Sequence, residues 1–139
     1  MWIDTRTEFS DSQELTVTTA STNVVDTGQN ARNIGRGNPL YLVVQTEDDA
    51  DNADGNEQYV VTLQSAAAED FSGAKDLVSF EIPNTATAGT RFVTLLPQDN
   101  DRFLRLNYTL GGTSPSVTVN AFISNQEPPN WQAHPDAVN

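Results

Sequence analysis

The chain contains no cysteine, a single histidine and a single methionine, and only 7 of its 139 residues are lysine or arginine against 19 aspartates and glutamates. Without cysteine there is no disulfide frame, no thiolate metal site and no cysteine nucleophile, and the redox compartment is unmarked. The shortage of basic residues leaves a formal net charge of −12, which works against binding nucleic acid or an anionic membrane surface. No apolar run approaches membrane-spanning length, and the opening "MWIDTRTEFS" alternates charged and apolar residues without the apolar stretch of a signal peptide. A soluble chain made in the cytoplasm is expected. A domain of this length buries roughly two-thirds of its unfolded surface, enough for a core that needs no staple.

What is present is a succession of short strand signals separated by turn residues. Strands are expected over 14–19, 23–26, 40–46, 58–65, 77–82, 90–96, 102–110 and 116–124. The separators "DTG" (26–28), "GRGNP" (35–39), "ADG" (53–55), "TAG" (87–89), "PQDND" (97–101) and "GGTSP" (111–115) carry turn chemistry. Only "SAAAEDF" (65–71) could form a helical turn, and it is too short for a stable helix. About eight short strands with almost no helix predict a single-domain antiparallel β-sandwich of jelly-roll type. Alternation places Leu15, Val17, Leu42, Val44, Val61, Leu63, Phe80, Val93, Leu95, Leu104, Leu106, Val119 and Ala121 inside. In "DRFLRLNYTL" (101–110), Leu104, Leu106, Tyr108 and Leu110 form an apolar face, while Phe103, Arg105, Asn107 and Thr109 form a mixed face suited to solvent or a partner. Residues 1–13 and 125–139 read as terminal arms around the 14–124 domain, and each carries a tryptophan, Trp2 and Trp131. Tryptophan is rare in solvated tails, so each arm either folds back on its own domain or docks on a neighbour.

Motifs for chemistry are sparse. In the acidic stretch "EDDADNADGNE" (47–57), a calcium loop with Gly55 at its sixth position would begin at Ala50 and end at Val61, so both anchoring carboxylates are missing. A solvated hairpin loop is expected, with a loose cation site at Asp48, Asp49, Asp51 and Asp54 as the alternative. His134 lies in the tail before Pro135 with no positional tie to a serine, and zinc, phosphate-loop and nucleophile-elbow patterns are absent. No catalytic, cofactor or metal residue is assigned, and no enzyme activity is expected. The acceptor pattern Asn107-Tyr108-Thr109 falls within an expected strand and is taken as coincidence. A sugar-stacking platform of Tyr41, Tyr59 and Tyr108 is weighed against burial of Tyr59 and Tyr108 among aliphatic neighbours, which alternation favours.

The stretches "LTVTTASTNVVDTG" (15–28), "GNPLYLVVQ" (37–45), "GTRFVTLLPQDNDRFLRLNYTLGG" (89–112) and "VTVNAFIS" (117–124), in that order and spacing, resemble the jelly-roll capsid cement, or decoration, proteins of short-tailed bacteriophages. The resemblance implies a virion component on the outer surface of an icosahedral head. It would pair with its own copies, as a dimer rather than a trimer, and tie neighbouring major capsid subunits together without chemistry, nucleic acid or membrane. Trp2, Arg36, Arg91, Arg102, Arg105 and Trp131 are the candidate partner-facing residues, with Arg91, Arg102 and Arg105 expected near one end of the sheet; the alternative for the arginines is neutralisation of the domain's own carboxylates. A glycan- or host-surface-binding sandwich module is the rival function.

Overall fold

The structure, a computed structural model, describes residues 4–29, 33–35, 37–98 and 100–126. A short 3-10 turn, Thr5–Thr7, is capped by Asp4, whose Oδ1 accepts the Arg6 N–H at 2.9 Å. Nine strands follow: β1 (Glu8–Leu15), β2 (Thr19–Ala20), β3 (Val25–Asp26), β4 (Tyr41–Thr46), β5 (Gln58–Ala66), β6 (Lys75–Ile82), β7 (Arg91–Leu95), β8 (Phe103–Gly111) and β9 (Val117–Ser124). They form two antiparallel sheets, ordered β1-β9-β4-β7 and β2-β8-β5-β6, with β3 also paired to β8. The stretch from β2 to β3 runs along β8 as one interrupted edge, held between its two strands by the Ser21 N–H on Leu106 O and, beyond β3, by the Thr27 N–H on Arg102 O, both at 2.8 Å. Counting that edge once gives the eight positions and alternating sheet membership of a jelly roll.

The two sheets face each other over a continuous core. Leu15, Leu42, Val44, Val61, Leu63, Leu104, Leu106, Tyr108, Val119 and Ala121 are all at most 1% exposed, and the partly buried Phe80 and Phe92 pack against them. Burial of such side chains contributes about 1.5–3 kcal/mol each before conformational entropy is counted. Near one end of the sandwich, the buried Tyr59 hydroxyl donates to Asp51 O at 2.8 Å and accepts the Ser116 N–H at 3.1 Å, tying the loop after β4 to the start of β9.

The sequence reading and the structure differ at three places. Residues 8–13, assigned to an arm, form most of β1 and pair with β9, from Glu8 opposite Phe122 to Gln13 opposite Val119. Two register shifts, between Glu8 and Ser10 and between Ser10 and Gln13, break the alternation, so that consecutive Phe9 and Ser10 are both buried. Val17, expected inside, is 66% exposed, because β1 ends at Leu15 and the chain bends across to the other sheet. In β7 the inward face is inverted: Phe92 and Thr94 lie opposite the inward Val44 and Leu42, while Val93 and Leu95, also expected inside, are exposed.

Candidate interaction surfaces

The outer face of the five-stranded sheet carries Arg105 and Phe103 on β8, as alternation places them. Over this end of the face folds the loop after β5, through hydrogen bonds from the Phe71 N–H to Ala68 O at 3.0 Å and from the Ala74 N–H to Phe71 O at 3.2 Å. It makes turns and no helix. Phe71 adopts a positive φ of 57°, strained for an aromatic residue, and its ring is buried with Ala66 and Phe103 in a small cluster separate from the main core. The Arg105 guanidinium lies 4.3 Å from the Phe71 ring centroid, and its Nε donates to Gln64 Oε1 at 2.9 Å. This is a half-buried cation stacked on an aromatic face, an arrangement that orients the guanidinium without neutralising it.

Arg102 behaves differently. It makes a bidentate ion pair with Asp26, Nε to Oδ1 at 2.8 Å and a terminal nitrogen to Oδ2 at 3.1 Å, and its guanidinium lies 4.8 Å from the Phe103 centroid. The Arg102 hydrogen bonds, with the Gly28 N–H, hold the Asp26 carboxyl below its ordinary range, and the same pair raises Arg102. For Arg102 the neutralising role foreseen as the alternative is therefore the one in place.

The outer face of the four-stranded sheet is apolar along its middle row. Phe122 of β9, Val43 of β4 and Val93 of β7 lie side by side in register, and the next row runs Ser124, Tyr41, Leu95. Val93 and Leu95 are 39% and 59% exposed. Arg91 lies on this face, opposite Gln45, so it is on the other side of the sandwich from Arg105 and the expected grouping of three arginines is not formed. Of the other residues expected to face a partner, Trp2, Arg36 and Trp131 lie outside the described residues. Sequence reasoning missed Phe71, an isolated aromatic in a polar loop, and the exposure of Val93 and Leu95.

The acidic loop is engaged with several neighbouring segments. Glu47 accepts from Ser12 Oγ at 2.6 Å and Asn120 Nδ2 at 2.8 Å, Asp48 from the Thr118 N–H at 2.7 Å, and Asp49 from the Ala88 N–H at 2.8 Å. The Ser12 and Asn120 bonds hold Glu47 below the usual carboxylate range. Glu57 is buried, which pushes its carboxyl up, but the N–H groups of Asp54, Glu57, Asn56 and Gly55 together outweigh this and hold it low. These carboxylates staple the loop to β1, β9 and the turn before β7. Among the described residues no three metal-ligating side chains converge. Tyr59 and Tyr108 are core residues and form no outer platform, and Tyr41 is half-buried on the apolar outer face.

The geometry thus defines a small jelly-roll sandwich with two unlike outer faces, one polar with a stacked arginine, one apolar beside a free sheet edge. The chain belongs to the Bbp16 family, whose model matches residues 9–123 and therefore spans the whole sandwich from the start of β1 to the end of β9. The family is phage-associated, and this is a phage-related protein. No curated protein matches the chain. Among the described residues no helix is long and apolar enough to cross a membrane.

Proposed function

We propose that this phage protein is a capsid cement, or decoration, protein: a non-catalytic component that binds the outer surface of an icosahedral head, pairs with itself and ties neighbouring major capsid subunits together, stabilising the expanded shell. The observation that carries the reading is the combination of a phage-associated family match with a jelly roll that presents two different surfaces on opposite sides. A molecule that bridges needs two such surfaces. A net charge of −12 keeps unassembled copies apart in solution. On a rigid lattice, modest contacts at several points sum through effective concentration, so no single interface has to be large. Binding that favours the expanded lattice stabilises it by linkage.

The test is addition of the purified chain to empty, expanded shells of the phage that encodes it. Saturable co-sedimentation with the shells and a raised shell melting temperature are expected. Absence of binding at micromolar concentrations overturns the reading, and binding to glycans with none to shells transfers the protein to the host-surface class.

A further inference from the structure

We propose that β7 is a pairing edge at which two copies of this chain join their four-stranded sheets across a two-fold axis at Val93. For its biological use the inference rests on the reading above. The pairing itself is tested without any shell, so the two fail separately.

The argument begins with which backbone groups of β7 are free. The Leu96 N–H donates to Leu40 O at 2.8 Å and the Thr46 N–H to Thr90 O at 3.0 Å. With Tyr41 opposite Leu95, these bonds fix the even-numbered residues as the ones that face β4 through their backbones. Arg91, Val93 and Leu95 therefore direct their N–H and C=O groups away from β4, toward the open edge, and these same residues have the outward, exposed side chains.

Sheet edges are normally guarded by charge, bulges, proline or shortness. Three of the four edges here are guarded. β1 carries two register shifts and Asp11 and Glu14, β6 carries one register shift with Lys75, Asp76 and Glu81, and β2 and β3 are two residues each. β7 pairs with β4 without a register shift, and Arg91 at its start is its only charge. Pro97 lies two residues beyond its end, at the next outward-facing position, where its missing N–H would terminate any further pairing.

A second copy of β7 fits this edge. In an antiparallel pairing about Val93, Val93 meets Val93 of the partner copy and each Arg91 meets a Leu95. All of these are outward-facing positions, so the free donors and acceptors match in pairs. The two arginines end about 14 Å apart along the strands at ~3.4 Å per residue, so no like charges oppose at the seam. The row Phe122, Val43, Val93 then continues into Val93, Val43, Phe122 of the other copy, giving an unbroken apolar stripe across six strands. An isologous contact of this kind closes on itself as a dimer. Five paired residues lie at the small end of specific interfaces, and the two −12 charges repel, so dissociation in the micromolar range that tightens with added salt is expected.

The experiment is sedimentation equilibrium on the full chain across micromolar to millimolar concentration, with Val93→Lys and Val93→Glu, each checked for native far-ultraviolet dichroism. Wild type is expected to dimerise. Each variant alone places like charges on the axis and is expected to associate at least about tenfold more weakly, while an equimolar mixture of the two regains a dimer. Val93→Cys in this cysteine-free chain adds a readout independent of affinity: directly opposed residues have the Cα spacing a disulfide needs, and mild oxidation is expected to give a covalent dimer. A wild type that stays monomeric at millimolar concentration, a Lys variant that dimerises as wild type does, or failure of the cysteine variant to cross-link overturns the pairing.

Discussion

The hydroxyl pair between Ser10 and Tyr108 tests whether the segment before Glu14 is part of the fold. Ser10 Oγ donates to Gln13 Oε1 at 2.6 Å, so the proton shared with Tyr108 at 2.7 Å comes from the tyrosine. Both residues are 1% exposed, and the bond crosses the sandwich from β1 to β8. Burial drives the Tyr108 hydroxyl well above its usual pKa, so it remains a donor at all physiological pH. Tyr108→Phe removes the donor and leaves Ser10 bonded to Gln13, so the loss is that of one neutral hydrogen bond, about 0.5–1.5 kcal/mol. Ser10→Ala leaves the tyrosine hydroxyl buried without its partner and should cost more, about 1–3 kcal/mol. The double variant removes both groups together and should be less destabilised than the sum of the single variants by about 1 kcal/mol. Urea unfolding followed by far-ultraviolet dichroism gives these values as midpoint shifts at constant slope. Strict additivity, or a Ser10→Ala variant as stable as wild type, would refute the docking of β1 over β8 and return residues 8–13 to the status of an arm.

Other consequences follow from single features. Phe71→Ala should cost about 3 kcal/mol, the low end for a buried phenylalanine. Because φ is 57° there, Phe71→Gly should be less destabilising than Phe71→Ala, the reverse of the usual order, in the same urea assay. Gly112 has φ of 89°, and a Cβ on it would run into the backbone of Asn56 and Glu57; Gly112→Ala should therefore destabilise by at least about 2 kcal/mol in thermal or urea melts. Asp26, Glu47, Glu57 and Asp70 all have folded-state pKa values below their ordinary ones. Their contribution is fully present above the unfolded carboxylate range and is lost as pH falls through the depressed folded values. The melting temperature should therefore fall as pH drops below about 4.5, and Asp26→Asn should lessen that fall, measured by melts from pH 7 to 3.

The long central strands were legible because both of their faces obey one rule. In β5 and β8, Tyr59, Val61 and Leu63 and then Leu104, Leu106 and Tyr108 alternate with polar residues, and each ends inside. β1 was not legible, since "EFSDSQEL" satisfies the pleat only through two register shifts that no periodicity can encode. β7 misled for the opposite reason. "RFVTLL" is apolar at both parities, so alternation fits either face, and the choice is made by its pairing with β4, which turns Phe92 inward beside Phe80 with ring centroids 6.0 Å apart.

The interaction surfaces are harder to read than the core for a physical reason. A core residue is selected by its own hydrophobicity, whereas the adhesive character of β7 depends on a coincidence between two directions. The side chains of Arg91, Val93 and Leu95 leave the sheet on its outer face, and their backbone groups leave it at the edge. Which parity does so depends on the hydrogen-bonded partner, and Leu95 opposite Tyr41 decides it. A shift of that pairing by one residue would direct the free backbone groups from Phe92 and Thr94 instead and put Val93 inside, where alternation first placed it. The same logic applies to Arg105. Its outward position is evident from "FLRLNY", but whether it is a free charge, a neutralised one or a stacked one is decided by a loop that folds back over the sheet and brings Phe71 under the guanidinium. Arg102, two strand positions before the inward Leu104, has Asp26 across from it in the β3–β8 pairing and is neutralised. Two arginines in one short run thus have different roles because different segments pair beside them.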